Sequence, residues 1–181
     1  MQYGGIQNLQ RKTKRVSVTS SAHPLLITGH PFEWLTIPGL GRIACTFIRH
    51  QPPLMLVSAG ALSQSGSLAD AVSLPAWETV RIFGAAALSR YIGENARHGQ
   101  LVVIDSPLGG SPCALGFAIL GRQGWQRHVA ASAEQVISQA VRQPDTIACD
   151  HLPASVNATF SLIHRYQPHG EPATRGVPTG A

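Results

Sequence analysis

A carboxylate and a thiol border one short loop in the middle of the chain. Residues 101–105 read LVVID, and a Pro- and Gly-containing segment leads from Asp105 to Cys113. Four consecutive apolar residues bounded by turn residues are typical of a strand buried on both faces. The carboxyl ends of such strands usually carry the chemistry of open α/β sheets. If the protein is an enzyme, the sequence therefore predicts a catalytic site at Asp105 and Cys113.

Cys113 could act as a nucleophile only if a nearby base or a helix N-terminus promoted formation of its thiolate. His98 and His128 are the candidate bases, but no spacing in the sequence requires either of them to lie close to the thiol. Cysteine is also among the residues most often buried as a small apolar side chain. The sequence favours this second interpretation.

A glycine-bounded loop at residues 60–67 raises the question of nucleotide binding. Asp105 occupies the place of a magnesium-positioning carboxylate, but the glycine spacing is one residue longer than in a P-loop. No lysine follows Lys14, so this loop has no side chain to neutralise the charge of a β- or γ-phosphate. A degenerate P-loop-like domain without nucleotide chemistry remains an alternative, and the sequence predicts no cofactor.

The densest group of metal-ligand residue types lies in the last third of the chain. Its members are Cys149, Asp150, His151, His164 and His169. If residues 146–151 and 156–164 form a hairpin, His151 and His164 lie roughly 26 Å apart, too far to share a metal ion. We therefore predict no metal site.

The net charge of +5 is concentrated near the N-terminus. The basic residues there are Arg11, Lys12, Lys14 and Arg15. From residue 16 onward, ten arginines and nine acidic residues nearly cancel. The basic cluster predicts salt-sensitive, sequence-independent contact with polyanions, nucleic acid included. Trp125, followed by Arg127, adds a residue that could stack on a base.

Composition indicates one globular domain with two flexible ends. The chain is 44% hydrophobic with a mean hydropathy of +0.05, which is enough for a core. We expect a basic tail at residues 1–22, a single α/β domain at 23–166 and a Pro/Gly-rich tail at 167–181. No apolar run approaches the roughly 20 residues of a membrane span. Three scattered cysteines and the lack of a secretory signal predict a cytoplasmic protein.

Hydrophobic patterning predicts a mixed β-sheet with two main helices packed on it, an α/β or α+β fold. Apolar runs predict strands at residues 32–37, 42–49, 54–58, 101–105, 114–120, 146–149 and 156–164. The spacing predicts a helix over 73–95, in which Gly84 would permit close packing. A capping box at residues 132–135 predicts the start of the second helix. A helix between the strands at 54–58 and 101–105 favours a parallel crossover.

The first helix carries apolar side chains around most of its circumference. Trp77 and Tyr91 lie about 40° apart on a helical wheel, and Phe83 points well away from both. Glu78 and Arg81 belong to the small polar remainder. A helix of this kind is covered on two sides or shared with a partner. The sequence therefore predicts an interaction surface at Phe83, for a protein partner or a second copy of the chain.

Taken together, these patterns favour a small, bacterial-type cytosolic accessory or regulatory protein. It would act by binding a macromolecule, either a protein or, through its basic tail, nucleic acid. The low acid content and the lack of a complete catalytic motif support this interpretation. The alternative is a small enzyme whose site is the loop from Asp105 to Cys113.

Overall fold

The computed structural model describes residues 24–62, 74–105, 114–151 and 161–165. Within these residues, seven strands form one mixed sheet, and a helix packs on each of its faces. This confirms the predicted fold class. The predicted tails, with the basic cluster at residues 11–15, lie outside the described residues. No helix in the described ranges combines the length and apolar character that crossing a bilayer requires.

The strands run in chain order along most of the sheet. They are β1 (Glu33–Ile37), β2 (Gly41–Ile48), β3 (Leu54–Ser58), β4 (Gln100–Asp105), β5 (Ala114–Gly121), β6 (Gly124–Trp125) and β7 (Ser161–His164). The two α-helices are α1 (Ala76–Ile92) and α2 (Ala131–Arg142). The spatial order is β1-β2-β3-β4-β5-β6, and β7 also pairs with β5. The β3–β4 and β5–β7 pairs are parallel, and the other pairs are antiparallel.

Strands β1 and β2 form at the two apolar runs that the sequence predicts as strands, and they pair as a hairpin. Gly39 and Gly41 have φ angles of +79° and +86°, which side chains other than glycine rarely adopt. The backbone N–H of Leu40 donates to the carbonyl of Ile37 at 3.0 Å and closes the turn. The tight turn fixes the register in which Ile37 pairs with Gly41.

Strands β3 and β4 lie at the centre of the sheet and are buried on both faces. Met55 and Val57 point towards α1, whereas Leu54 and Leu56 point towards α2. The neighbouring β4 alternates in the same way, because Leu101 faces α1 and the next residue faces α2. Because both faces of these strands are buried, their sequences are continuous apolar runs. The predicted parallel pairing of these two strands is confirmed.

Helix α1 approaches the sheet most closely at Gly84. A Cβ atom placed on Gly84 would lie 2.6 Å from Sδ of Met55, which is fully buried. The same methionine side chain also lies against Gly99, where a Cβ would be 3.2 Å from Cε of Met55. Met55 therefore fills the space between two glycines, and the predicted packing role of Gly84 is confirmed.

Two predictions about the helices are wrong. Helix α1 ends at Ile92, and a 3₁₀ helix continues from Gly93 to His98, because Gly93 has a φ of +60° that ends the α-helix. The capping box does not form, since Ala130 is the N-cap of α2 and makes no side-chain cap. Ser132 instead places its Oγ 3.1 Å from Nε2 of His50.

Arg81 belongs to the interior rather than to the polar surface of α1. Its guanidinium donates through Nε to Oε2 of Glu78 at 2.9 Å and through Nη2 to Oε1 of the same carboxylate. Its Nη1 lies 3.5 Å from the carbonyl of Gly99, at the start of β4. Arg81 is only 7% exposed, so its side chain packs against the sheet, whereas the Glu78 side chain is 48% exposed to water.

The predicted strand at 146–149 and the hairpin built on it are also wrong. These residues form turns that lead into a 3₁₀ helix, Cys149–His151, because the Thr146 hydroxyl bonds to the last turn of α2. Ser161–His164 is a strand, but it pairs with β5 in parallel. Residues 152–160 lie outside the described residues. The roughly 26 Å separation of His151 and His164, which rested on that hairpin, therefore loses its basis.

We predict that Gly84→Ala destabilises the protein by about 1–3 kcal/mol, because the new methyl group overpacks the space that Met55 occupies. The same change in an exposed helix stabilises by up to about 1 kcal/mol. Urea unfolding measures the difference. In a Met55→Ala background, Gly84→Ala should be neutral or stabilising. An equal cost in both backgrounds would show that another contact limits this position.

We also predict that His164 lowers the free energy of unfolding at acidic pH. Burial lowers the pKa of His164, although Glu134 and a backbone hydrogen bond with Gln126 favour its charged form and His128 opposes it. Its Nε2 is buried and has no hydrogen-bond partner among the described residues, and its ring lies 5.3 Å from that of Phe117. Because the folded state binds the proton less well, stability falls as the pH drops below about 6.5.

His164→Phe keeps the ring contact and removes the titrating group. The stability gained relative to wild type should therefore grow from pH 8 to pH 5 in urea unfolding. His30→Gln, at an exposed position, is the control. A gain that is the same at every pH would contradict this prediction.

Candidate functional site

Asp105 is the last residue of β4 and lies opposite Gly116 of β5. Its side chain is almost entirely buried, with 4% of the residue exposed. The parallel neighbour β3 ends beside it, since Ser58 pairs with Ile104. Ser58 accepts a hydrogen bond from the backbone N–H of Gly60 at 3.2 Å. The carboxyl ends of two parallel strands thus meet at this edge, which is where the sequence places the candidate site.

Hydrogen bonds of two buried threonines hold the segment after α2 in place. Thr146 places its Oγ1 2.6 Å from the carbonyl of Ala140 and accepts a hydrogen bond from the backbone N–H of Cys149. Thr46 of β2 donates its hydroxyl to the carbonyl of Pro31 at 2.6 Å and accepts from the backbone N–H of Ile147 at 3.0 Å. Both threonines are fully buried, so these bonds are shielded from water.

The segment held by these two threonines carries His151, whose imidazole is influenced by Asp105. Asp150 donates its backbone N–H to the carbonyl of Thr146 at 3.2 Å, and His151 donates to the carbonyl of Ala148 at 3.3 Å. The resulting 3₁₀ turn ends with a half-buried imidazole. Asp105 lies within electrostatic reach of this imidazole, because its charge acts on the pKa of His151.

Opposing effects set the protonation of His151. Burial lowers the pKa of His151, and the charges of Asp105 and Asp150 raise it by less than burial lowers it. The pKa therefore lies below the ordinary value for histidine, and the imidazole is neutral at pH 7. A neutral imidazole can accept a proton from a substrate. The imidazolium that forms would be stabilised by the two carboxylates. These are the properties of a general base.

No protein-family profile and no curated protein matches this chain. Among solved structures, the crystal structure of a methylitaconate-delta-isomerase matches with a TM-score of 0.60 and 15% sequence identity. The match covers 80% of this chain and 43% of that one. The fold is similar to part of an isomerase. The chain therefore spans less than half the length of the isomerase that it matches, and at this identity the likeness shows the fold alone.

The likeness to the isomerase corrects the function that the sequence favoured. From the sequence alone, the accessory protein that binds a macromolecule is favoured over an enzyme. The comparison contradicts that ranking, because the solved structure with a similar fold is an enzyme. The match favours the enzyme alternative, and the site at Asp105 stays a prediction.

The structure does not bring all of the predicted site residues together. Cys113 lies outside the described residues, so its part in the candidate site stays a prediction. His98 and His128, the proposed bases for its thiol, line a cleft at the opposite end of the sheet. His98 lies two residues before β4. Asp105 is five residues beyond the start of that strand, a distance of about 17 Å. Phe83 is 37% exposed, and its role as an interaction surface stays a prediction.

Sequence reasoning considered His151 only as a metal ligand. In the described part of the chain, no three His, Cys, Asp or Glu residues are grouped so that they could hold a metal ion. The position of His151 depends on Thr46, which is 101 residues from its partner Ile147. No spacing in the sequence reveals a contact of that range.

We predict that Asp105→Asn lowers the pKa of His151 further, because the larger of the two carboxylate effects is removed. Asp150→Asn should lower it less, and Glu94→Gln, on an exposed turn, should leave it unchanged. Titration of the His151 ring signals by NMR measures all three. Equal shifts for Asp105→Asn and Glu94→Gln would show that Asp105 does not act on His151.

Proposed function

We propose that the chain contributes to an isomerase that moves a double bond within a small unsaturated carboxylic acid. Its proton-transfer group would be His151, assisted by Asp105. The observation that carries the proposal is the buried carboxylate of Asp105 at the carboxyl end of two parallel strands, whose charge acts on the half-buried imidazole of His151. The similarity of the fold to a methylitaconate-delta-isomerase supports it.

The reaction needs only a proton to move. His151 accepts a proton from the carbon next to the double bond, and the electron pair of the broken C–H bond forms a new C=C bond. The electron pair of the old C=C bond then takes a proton at its far carbon. If the imidazolium returns the proton that it took, the base is regenerated and no electrons are gained or lost. Such positioned acid–base catalysis contributes about 10²–10⁴-fold to a rate.

Asp105 would act through His151 rather than on the substrate. Its charge opposes the effect of burial and keeps the imidazole basic enough to take a proton from carbon. It would also stabilise the imidazolium during the short time that the proton is held. Asp105 is therefore proposed as a positioning residue, and His151 as the catalytic base.

Deuterium exchange tests the proposal directly. The full chain is incubated in D₂O with methylitaconate, and ¹H NMR follows both the loss of protons next to the double bond and the appearance of the isomer. We expect His151→Gln to slow exchange by about 10²–10⁴-fold, the range of general-base catalysis. Asp105→Asn should slow it by a smaller factor and shift the pH profile to lower pH.

His30→Gln is the matched control, because His30 is exposed and lies on the segment before β1. Circular dichroism of each variant establishes that the fold is kept. Exchange that is unaffected by His151→Gln would remove His151 from the mechanism. If neither exchange nor isomer formation occurs with any unsaturated dicarboxylate tried, the proposed function is wrong.

A further inference from the structure

A basic cleft lies at the end of the sheet opposite Asp105. It has a volume of about 990 Å³ and is bounded by the β2–β3 connection, the start of β4 and the β5–β6 turn. The basic side chains that line it are Arg49, Arg122, Arg127, His50, His98 and His128. None of its lining residues among those that the structure describes is an aspartate or a glutamate. Arg49 and Arg122 therefore give the cleft a positive charge, and its described lining contains no carboxylate.

Hydrogen bonds to the neighbouring backbone hold one wall of the cleft. Arg49 donates its backbone N–H to the carbonyl of Leu25 at 2.8 Å and its Nε to the carbonyl of Pro24 at 3.3 Å. The next residue, His50, has its Nδ1 2.8 Å from the carbonyl of Pro52. Its Nε2 lies 3.1 Å from Oγ of Ser132, at the start of α2. These contacts fix the wall before any ligand arrives.

The opposite wall of the cleft contains side-chain amide groups around Gly121. Gly121 is buried, and a Cβ atom placed on it would lie 3.2 Å from Nε2 of Gln126 and 3.9 Å from Nε2 of Gln100. Gln126 is anchored by its backbone N–H, which donates to the carbonyl of Ile119 at 2.8 Å. Amide N–H groups and arginines together form a lining of hydrogen-bond donors, which suits an acceptor-rich ligand.

We propose that this cleft binds a small, multiply charged anion that carries carboxylate or phosphate groups. The guanidinium group of arginine donates paired hydrogen bonds to a carboxylate or a phosphate. Its hydrogen bonds to a neutral ligand are weaker. The volume lies in the range of small-molecule sites. The site is distinct from Asp105 and His151, because the length of β4 separates the two ends of the sheet. The proposal therefore stands independently of the isomerase reaction.

The shape of the site favours a small molecule over nucleic acid. A phosphate backbone binds along an open basic groove, with bases stacked on exposed aromatic rings. Trp125, the aromatic residue that the cleft contains, is half-buried and packs against the core that faces α1. The ring is therefore part of the cleft wall rather than a stacking platform.

Calorimetric titration of the full chain tests this proposal with two probes, citrate for carboxylate ligands and pyrophosphate for phosphate ligands. The test variant is Arg49→Gln with Arg122→Gln. The matched control is Arg42→Gln with Arg90→Gln, which removes the same charge from exposed arginines outside the cleft. A short single-stranded oligonucleotide is titrated alongside. Every titration is repeated at two salt concentrations.

We expect at least one probe to bind the wild-type chain, and the tighter of the two identifies the ligand class. The test variant should weaken that binding by about tenfold or more, the effect of losing a hydrogen bond to a charged group. The control should bind as wild type does. Binding that survives unchanged in the test variant would come from elsewhere in the chain and would overturn the proposal.

Three further outcomes would also overturn it. In the first, neither probe binds at millimolar concentration, which would show that the cleft does not bind anions of these two classes. Equal losses in the test and control variants would show that net charge, rather than the cleft, attracts the probes. Oligonucleotide binding that is tighter than that of both probes and is lost in the test variant would identify nucleic acid as the ligand. Failure of the isomerase reaction alone would leave this proposal standing.

Discussion

Helix α1 lies close against the sheet at residue 84, which has no side chain. The sulfur of Met55 occupies the space where a Cβ would stand, and the end of the same side chain lies against Gly99. Interiors are packed densely enough that a single methyl group there displaces its neighbours. The contact therefore sets the distance of the helix from the sheet. The helix thereby packs on the parallel strand pair whose two ends carry the candidate sites.

The local patterns that could be predicted from the sequence are those set by neighbouring residues. The β1–β2 hairpin follows from two glycines in a tight turn, and β3 and β4 follow from short apolar runs. Asp105 could be placed at a strand end for the same reason. The 3₁₀ turn that carries His151 could not, because it depends on Thr46, which is distant in the chain. Apolar residues at 147 and 148 suggested a strand, but hydrogen bonds of the Thr146 hydroxyl outweighed that preference.

The helical wheel of α1 was a poor guide to burial for a geometric reason. Trp77 and Tyr91 lie about 40° apart on the wheel, yet Trp77 is fully buried and Tyr91 is half exposed. A wheel records direction around a helix but not position along it. Tyr91 lies in the last turn, where its hydroxyl is 3.3 Å from Oε1 of Glu33 on the edge strand β1. Burial raises the pKa of Tyr91, and the nearby Glu33 raises it further, so the hydroxyl stays protonated as a donor.

The two ends of the sheet differ in charge, which constrains any chemistry at Asp105. Asp105 and Asp150 both raise the pKa of His151, so two carboxylates act at that end of the sheet. A carboxylate substrate would be repelled there unless positive groups faced it. The crossover from β3 to β4 supplies one, because a helix between two parallel strands begins at their carboxyl ends. The positive end of the α1 dipole therefore lies on the same side as Asp105. The basic cleft at the far end cannot serve this purpose, since the length of β4 lies between them.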